Sequence, residues 1–320
     1  MNKVILQPSG NKDAREHFLD TIETNVNLTR IGPHISVNDF QVLQDIYPSG
    51  SCKVWGVTPG GSNQTKWSRI ETGDITLFSR EGSIYASAVT TYKLHCHSLA
   101  AELWNYNADG QTWEYIYFLD ELRGLSISYA TFNDAVGYKP SYIIQGFSVL
   151  DASKSAAVIQ AFDLQSSVFY ADISKDECLE AISYLTSLNE TEAEIQSSRR
   201  LEQGYLQKHL FGRKTVGTCA GCNRDYPVSF LVTAHIKRRS QCTLEERIDH
   251  HVVMPLCSMG CDQMFEKGYV SVLDGVYVDM KKTPSSHHLQ KCIDQLAGKL
   301  CTYYNDATRP YFEWHYDYSR

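Results

Sequence analysis

Short β-rich runs separated by turn residues fill the first part of the chain, to about residue 172. Examples are the runs 53–57, 75–78, 84–89, 114–119 and 141–144. Glycine-containing pairs punctuate them at 60–61, 73–74 and 109–110. Regularly spaced strands with tight turns are typical of a compact, barrel-like mixed β domain. A few helices are expected to cover it, including one near Asn133 to Gly137.

The pattern changes between residue 173 and about residue 210. Two charged, glycine-poor stretches, 176–185 and 190–203, are rich in helix-forming residues. They predict one or two helices that connect the β domain to the rest of the chain. A charged amphipathic helix in this position is equally suited to form the interface of a homodimer.

The rest of the chain consists of a cysteine-containing segment, residues 211–283, and a tail, residues 285–320. The tail is expected to begin with a helix at 287–303, and it ends in the aromatic run 311–318. The pattern therefore predicts an α+β protein with three parts. These are a β domain at 1–172, a helical linker at 173–210 and a C-terminal domain at 211–320.

The sequence predicts no membrane span, because no stretch of about 18 apolar residues occurs in it. The N-terminus lacks the long apolar core of a secretory signal, so we expect a cytoplasmic protein. In a reducing cytoplasm, the ten cysteines are expected to be metal ligands or buried thiols rather than disulfides.

The net charge of −7 disfavours nucleic-acid binding, since phosphate contacts need Lys and Arg. The distribution of charge weakens this objection, because residues 205–284 carry eleven Lys or Arg against eight Asp or Glu. Three of the basic residues, Lys237, Arg238 and Arg239, follow closely after His235. Because this run adjoins the candidate site described next, we expect it to bind phosphate.

Four cysteines occur in two close pairs with the spacing of metal ligands. Two residues separate Cys219 from Cys222, and three separate Cys257 from Cys261. Zinc prefers four tetrahedral nitrogen or sulfur ligands, and a module of this size buries too little apolar surface to be stable without a clamp. The four cysteines therefore predict a structural Zn²⁺ site, with free buried thiols as the alternative.

A histidine and two acidic residues accompany the cysteine pairs. His235 lies in the strand-like run 229–236, and Asp262 and Glu266 are four residues apart, so they share one face of a helix. Hydrolysis of a phosphodiester at neutral pH needs a base to activate water and a metal ion to stabilise the developing charge. A neutral histidine with one or two carboxylates on a divalent ion supplies both. The alternative for His235 is a place in the core.

This part of the chain resembles the HNH (ββα-metal) nuclease family. The resemblance rests on the Ala-His-Ile-Lys run at 234–237, the Glu-Arg-Ile-Asp run at 246–249 and the segment 261–272. It implies that His235 is the general base and that Asp262 binds a catalytic Mg²⁺ or Mn²⁺.

The chain departs from the HNH pattern at the motif's asparagine, which falls near Val252. His251 is the nearest residue that could take its place. The set of catalytic metal ligands therefore stays open beyond Asp262, with His251, Asp249 and Glu266 as candidates.

Two tryptophans, Trp55 and Trp67, lie among glycines and small polar residues at 54–74. We expect a loop between strands here, in which glycines let the backbone approach a ligand closely. Indoles stack on bases, and Ser62 or Asn63 is able to bind the edge of a base, which is the chemistry of a pocket for a flipped base. The alternative for any one of these aromatic residues is a place in the core.

The same region resembles the EVE domains, a PUA-like branch related to readers of methylated adenine. The shared runs lie at 55–58, 67–78, 103–104, 113–119 and 146–147. The resemblance implies a PUA-like fold for the β domain. It also makes Trp55 and Trp67 the walls of the pocket, with Ser62, Asn63 and Tyr117 as further members.

A modified-base reader joined to an HNH nuclease is similar to the EVE-HNH modification-dependent restriction endonucleases. This resemblance implies a prokaryotic enzyme that flips 5-methylcytosine or 5-hydroxymethylcytosine out of double-stranded DNA and cuts a phosphodiester bond nearby. One HNH unit cuts one strand, so a double-strand break requires a homodimer, with the 173–210 helices or the C-terminal tail as its interface. Two alternatives remain open: a modified-nucleic-acid-binding protein that does not cleave, and an HNH nuclease that is indifferent to modification.

Overall fold

The computed structural model of the protein describes residues 2–164, 174–187, 192–284 and 286–320. The chain forms two compact units, Met1–Ala171 and Asp172–Arg320. The domain boundary predicted at 172/173 lies outside the described residues. Within the described part of the chain, no helix combines the length and the apolar character needed to cross a membrane.

The N-terminal unit is built on a seven-stranded mixed sheet. Its strands are β1 (Val4–Pro8), β2 (Val26–Asn27), β3 (Ser51–Val57), β4 (Ile75–Arg80), β5 (Ser83–His95), β6 (Tyr115–Ser128) and β7 (Ser148–Val149). Its α-helices are α1 (Lys12–Phe18), α2 (Leu28–Ile31), α3 (Val37–Ile46), α4 (Asn63–Ser68), α5 (His97–Trp104), α6 (Tyr129–Val136) and α7 (Ala152–Ala161). The strand order is β2-β3-β6-β5-β4-β1-β7, with β1 and β4 parallel and the other pairs antiparallel.

The sheet is buried on both faces, because its central strands supply two apolar clusters. Trp55 and Tyr117 lie in one cluster, together with Phe18 of α1. Their neighbours Val54 and Phe118 lie in the other, which α3 and α5 cover. Successive residues of a strand point to opposite faces, so the almost continuous apolar runs in β3 and β6 serve both clusters.

The expected mixed β architecture is confirmed, with two corrections. Residues 141–144 form no strand. Only Ile144 of this run is buried, and the edges of the sheet are β2 and β7. Among the described residues, the strand pairings run from β2 at one edge to β7 at the other, and β2 does not pair with β7. These strands therefore form an open sheet instead of the expected barrel. The helix near Asn133 is confirmed as α6, which ends at Gly137 with a φ of +74° that favours glycine.

The C-terminal unit combines small antiparallel sheets with helices. Its strands are β8 (Val216–Thr218), β9 (Asp225–Pro227), β10 (Leu231–His235), β11 (Val253–Cys257), β12 (Val270–Leu273) and β13 (Val276–Asp279). Its α-helices are α8 (Lys175–Ser187), α9 (Glu192–Phe211), α10 (Leu244–Arg247), α11 (Cys261–Glu266), α12 (His287–Leu296) and α13 (Arg309–Ser319). The strands pair as β8-β9, β10-β11 and β12-β13.

The two helices of the predicted linker contribute to the core of the C-terminal unit. Cys178 of α8 and Leu206 of α9 are fully buried in one cluster with Val252. Glu202 of α9 is 1% exposed and pairs with Arg239 at 2.5 and 2.7 Å. These side chains make their contacts within one chain. A dimer interface on other faces of the helices stays a prediction.

The tail forms two helices, and the second packs into the core. The first, α12, is shorter than the predicted 287–303, since the chain turns at Gly298 with a φ of +86°. In α13, Phe312 is fully buried and His315 is 3% exposed. His315 Nδ1 is 2.8 Å from Ser271 Oγ, and its Nε2 is 3.1 Å from the Phe265 carbonyl oxygen. Phe312 and His315 of the aromatic run are therefore part of the core.

Candidate functional site

A pair of strands followed by a short helix forms a ββα arrangement in the C-terminal unit. β10 and β11 are antiparallel, with Leu231 opposite Cys257 and His235 opposite Val253. The chain leaves β11 at Cys257 and enters α11 four residues later. Gly260 lies in this turn with a φ of +135°, a backbone conformation that favours glycine. The arrangement therefore places Cys257, at the end of β11, next to the strand that carries His235.

The four predicted zinc ligands converge at this unit. The Sγ atoms of Cys219, Cys222, Cys257 and Cys261 all lie within 4.8 Å of one another, and those of Cys222 and Cys257 are 4.0 Å apart. The amide of Cys257 donates to Cys219 Sγ at 3.2 Å. The amide of Asn223 donates to the Cys219 carbonyl at 2.9 Å and closes the turn between the first two cysteines.

The geometry and the acidity of the thiols both fit a tetrahedral zinc ion. At a Zn–S bond length of about 2.3 Å, tetrahedral sulfurs lie about 3.8 Å apart, close to the separation of Cys222 and Cys257. The hydrogen bond from Cys261 is the main cause that lowers the pKa of Cys219 to about 5. That same hydrogen bond, followed by burial, raises the pKa of Cys261. A zinc ion would replace the shared proton and bind all four sulfurs as thiolates.

His235, the last residue of β10, is held in its neutral form. Burial is the largest cause that lowers its pKa to about 4, and the charges of Arg239 and Arg247 act in the same direction. A neutral imidazole is the form that accepts a proton, and at pH 7 His235 is in that form.

Two buried polar atoms near this histidine have no hydrogen-bond partner among the described residues. They are Nε2 of His235 and Nε of Arg247. A buried polar atom without a partner costs about 1–3 kcal/mol. A buried polar atom without a partner calls for an explanation, such as a catalytic role or a bound water or ion.

The predicted catalytic metal ligands do not form one cluster. His251 groups with Asp249 and His250, whose ligand atoms lie within 4.8 Å of one another. Asp262 and Glu266 belong to none of the metal-type clusters found in the described part of the chain. Asp262 is half-buried at the start of α11, and burial raises its pKa. Glu266 is exposed at the end of that helix.

The three basic residues predicted to bind phosphate have partners within the unit. Lys237 pairs with Glu246 at 2.7 Å, and Arg239 pairs with Glu202, as described above. Arg238 donates to the carbonyl of Glu266 at 3.0 Å and lies 4.7 Å from the centroid of the Tyr318 ring. Two of the three charges are thus offset by carboxylates.

In the N-terminal unit, the two most buried members of the predicted base pocket lie in the core. Trp55 is 2% exposed and contacts Phe18 and Phe78 edge-on. Tyr117 is fully buried, and its hydroxyl donates to Gln7 Oε1 at 3.1 Å. Neither ring presents a face to solvent, so a base could stack on them only after the core rearranges. The indole nitrogen of Trp55 is buried without a hydrogen-bond partner within residues 2–164 and the rest of the described chain.

The other predicted pocket residues lie at the surface, in or next to a helix. The stretch expected to be a loop contains α4, which begins at Asn63, directly after the exposed Ser62. Asn63 Nδ2 donates to the Thr58 carbonyl at 3.1 Å. Trp67 is half-buried, its Nε1 donates to a backbone carbonyl of β6 at 3.1 Å, and Lys93 Nζ lies 4.8 Å from the centroid of its ring.

Comparisons with known proteins add little to this picture. A scan against protein families finds no match, and none of the curated proteins matches the chain. Among solved structures, the chain is similar to the N-terminal domain of Thermococcus gammatolerans McrB bound to m5C DNA, with 19% identity and a TM-score of 0.40. The alignment covers 51% of this chain and 96% of that one. A likeness at this level carries no functional argument.

Sequence reasoning missed two features of the C-terminal unit. It did not assemble His209, His250 and His251, although the Asp-His-His run was visible. His209 stacks on His250 from α9, which is distant in sequence. It also assigned no role to Tyr311 in the aromatic tail, whose hydroxyl donates to Asp249 at 2.7 Å. Both features depend on contacts that no local spacing reveals.

Proposed function

We propose that the chain is a metal-dependent DNA endonuclease of the HNH type whose N-terminal unit recognises a modified cytosine. The observation that carries the nuclease part is the ββα unit. Four cysteines converge on it, and a neutral histidine with an unpartnered buried Nε2 ends its first strand.

The chemistry assigned to His235 is general base catalysis. Its imidazole would accept a proton from water as the water oxygen attacks phosphorus, and the bond from phosphorus to the leaving sugar oxygen would break. Mg²⁺ or Mn²⁺ would stabilise the charge that develops on the phosphate oxygens. Asp262 is the carboxylate on α11 that would hold the ion, with Glu266 as a further candidate. Zn²⁺ at the four cysteines would be structural.

The reader function is assigned to the N-terminal unit from its motif resemblance to EVE domains. Trp67 supports this assignment, because its half-buried ring is fixed by a hydrogen bond from Nε1 and lies beside the charge of Lys93. An aromatic ring next to a cation suits a flipped base and its phosphate. The substrate would be double-stranded DNA containing 5-methylcytosine or 5-hydroxymethylcytosine, and the double-strand break would need a homodimer.

The test is digestion of one plasmid, with and without cytosine methylation, by the full-length chain in Mg²⁺ or Mn²⁺. Cleavage of the methylated plasmid alone is expected. His235→Ala should slow cutting by about 10²–10⁴-fold while DNA binding persists, and His34→Ala, a change in the N-terminal unit, should cut normally. Equal cutting of both plasmids would refute the reader function.

A second candidate function is binding of modified DNA without cleavage. It is favoured by one observation: the predicted catalytic ligands Asp262, Glu266 and His251 do not form a single cluster in the described structure. Retained preference for methylated DNA in a binding assay, with no cutting in either metal, would favour this candidate.

A further inference from the structure

A group of imidazoles lies directly before β11, in addition to the four cysteines. Asp249, His250 and His251 each bring one ligand atom within 4.8 Å of the other two. The ring centroids of His250 and His251 are 3.8 Å apart. His209 of α9 stacks on His250 at 5.1 Å, with the planes inclined by 17°. Imidazole nitrogen is the commonest metal ligand in proteins, so a group of three such rings is a candidate metal site.

A hydrogen bond to Asp249 fixes the orientation of the His251 ring. Oδ1 of Asp249 is 2.9 Å from Nδ1 of His251. A carboxylate oxygen accepts, so Nδ1 is the donor and Nε2 is the nitrogen left for another partner. A histidine that donates from one nitrogen to a carboxylate and offers the other is the usual arrangement of a metal-bound imidazole.

The carboxylate is itself held in place. Its Oδ2 accepts from the hydroxyl of Tyr311 at 2.7 Å, and its Oδ1 also accepts from the amide of His251 at 3.0 Å. These hydrogen bonds hold the carboxylate of Asp249 in position to orient His251.

The cluster has room for an ion and its water ligands. His209, His250 and His251 line a cavity of about 210 Å³ together with Val253, Asn305 and Thr308. A water molecule occupies about 30 Å³ in the liquid, so an ion with two or three waters fits. His251 has 37% of its side chain exposed, which leaves a route from solvent.

We propose that this cluster is a binding site for a divalent transition-metal ion of the Zn²⁺, Ni²⁺ or Cu²⁺ type. His250 and His251 would supply the imidazole ligands, His209 is the adjacent third imidazole, and Asp249 orients His251. Imidazole suits these ions, whereas Mg²⁺ prefers oxygen ligands. The site therefore goes beyond the proposed nuclease function, whose Mg²⁺ or Mn²⁺ is assigned to Asp262.

An ion at this position would stabilise the start of β11. The turn formed by residues 250–252 leads directly into Val253, which pairs with His235. The same turn contacts α9, where His209 stacks on His250, and α13, where Tyr311 donates to Asp249. Occupancy would thus raise the thermal stability of the C-terminal unit.

The test is a calorimetric titration of the purified full-length chain with Ni²⁺ in the absence of DNA, after its zinc content has been measured. Binding of one Ni²⁺ per chain is expected. His250→Ala/His251→Ala should weaken that binding by about 100-fold or more. The matched variant His34→Ala/His287→Ala removes two imidazoles outside the cluster and should bind like the wild type.

Absence of Ni²⁺ binding by the wild type, or equal binding by the cluster variant, would overturn the proposal. Should the cluster variant not fold, the absorption spectrum of Co²⁺ bound to the zinc-loaded wild type decides. Weak bands without sulfur-to-cobalt charge transfer support an imidazole site, and strong charge transfer would refute it. His235→Ala should keep full Ni²⁺ binding, so the outcome is independent of whether the chain cuts DNA.

Discussion

The two units of this chain are held together in different ways. In the N-terminal unit, a seven-stranded sheet is buried on both faces by apolar side chains and helices. The C-terminal unit has only two-stranded sheets among its described residues, and four cysteines converge where one of them meets a helix.

The difference shows how sheet size decides whether a unit needs a clamp. A two-stranded hairpin is marginally stable on its own, whereas a large sheet covered on both faces buries enough apolar surface to fold without a metal. We therefore expect the N-terminal unit to be indifferent to zinc and the C-terminal unit to depend on it.

The largest expected effect comes from removing two of the sulfurs. Cys219→Ser/Cys222→Ser should lose the bound zinc and unfold the C-terminal unit, because structural zinc contributes about 10–16 kcal/mol in small zinc-binding peptides. Calorimetry should show the C-terminal transition lost and the N-terminal one unchanged. Cys292→Ser, which lies outside the cluster, is the matched control. An intact C-terminal transition in the double variant would mean that the clamp is dispensable.

Replacement of His235 should separate chemistry from folding in the C-terminal unit. His235→Ala is expected to lower the cleavage rate by about 10²–10⁴-fold, the usual contribution of a general base. Zinc content and DNA affinity should stay the same. Measured single-turnover rates that remain within a few fold of the wild type would exclude His235 as the base.

The N-terminal unit should respond most to loss of a core side chain. Trp55→Ala is expected to cost about 3–5 kcal/mol of its unfolding free energy, because the indole is 2% exposed. Trp67→Ala should cost less, since that ring is half-buried, yet it should reduce the preference for methylated DNA. Chemical denaturation and competition binding distinguish the two. If Trp55→Ala lost the preference for methylated DNA and Trp67→Ala kept it, the pocket would lie in the core at Trp55.

The smallest expected effect is on how the stability of the C-terminal unit depends on pH. Burial is the main cause that lowers the pKa of His315 to about 4, against 6.5 for an exposed histidine. The unfolded chain therefore binds this proton first, so stability is complete above about pH 6.5 and falls as the pH decreases towards 4. The slope from one such group is at most about 1.4 kcal/mol per pH unit. His315→Gln should flatten the pH dependence of the C-terminal transition; an unchanged slope would contradict this.

The sequence was most informative where chemistry depends on local spacing. The spacing of the two cysteine pairs predicted that the four sulfurs converge. The short β-rich runs bounded by turn residues predicted β3, β4, β5 and β6, because composition and turns are local properties. The strand predicted at 141–144 was wrong, because Tyr142, Ile143 and Ile144 give this run a strand-like composition although only Ile144 is buried. The partners of Lys237 and Arg239, and the burial of Trp55 and Tyr117, were not predictable, because they depend on contacts between residues far apart in the chain.

The pairing of Glu202 with Arg239 has a practical consequence for dividing the protein into fragments. A C-terminal fragment that starts at residue 211, the predicted domain boundary, would lack α8 and α9. Arg239 would lose its partner Glu202, whose side chain is 2% exposed, together with the hydrogen bonds that join them at 2.5 and 2.7 Å. Val252 would also lose its cover from Leu206. The smallest independently folding C-terminal fragment should therefore begin before α8.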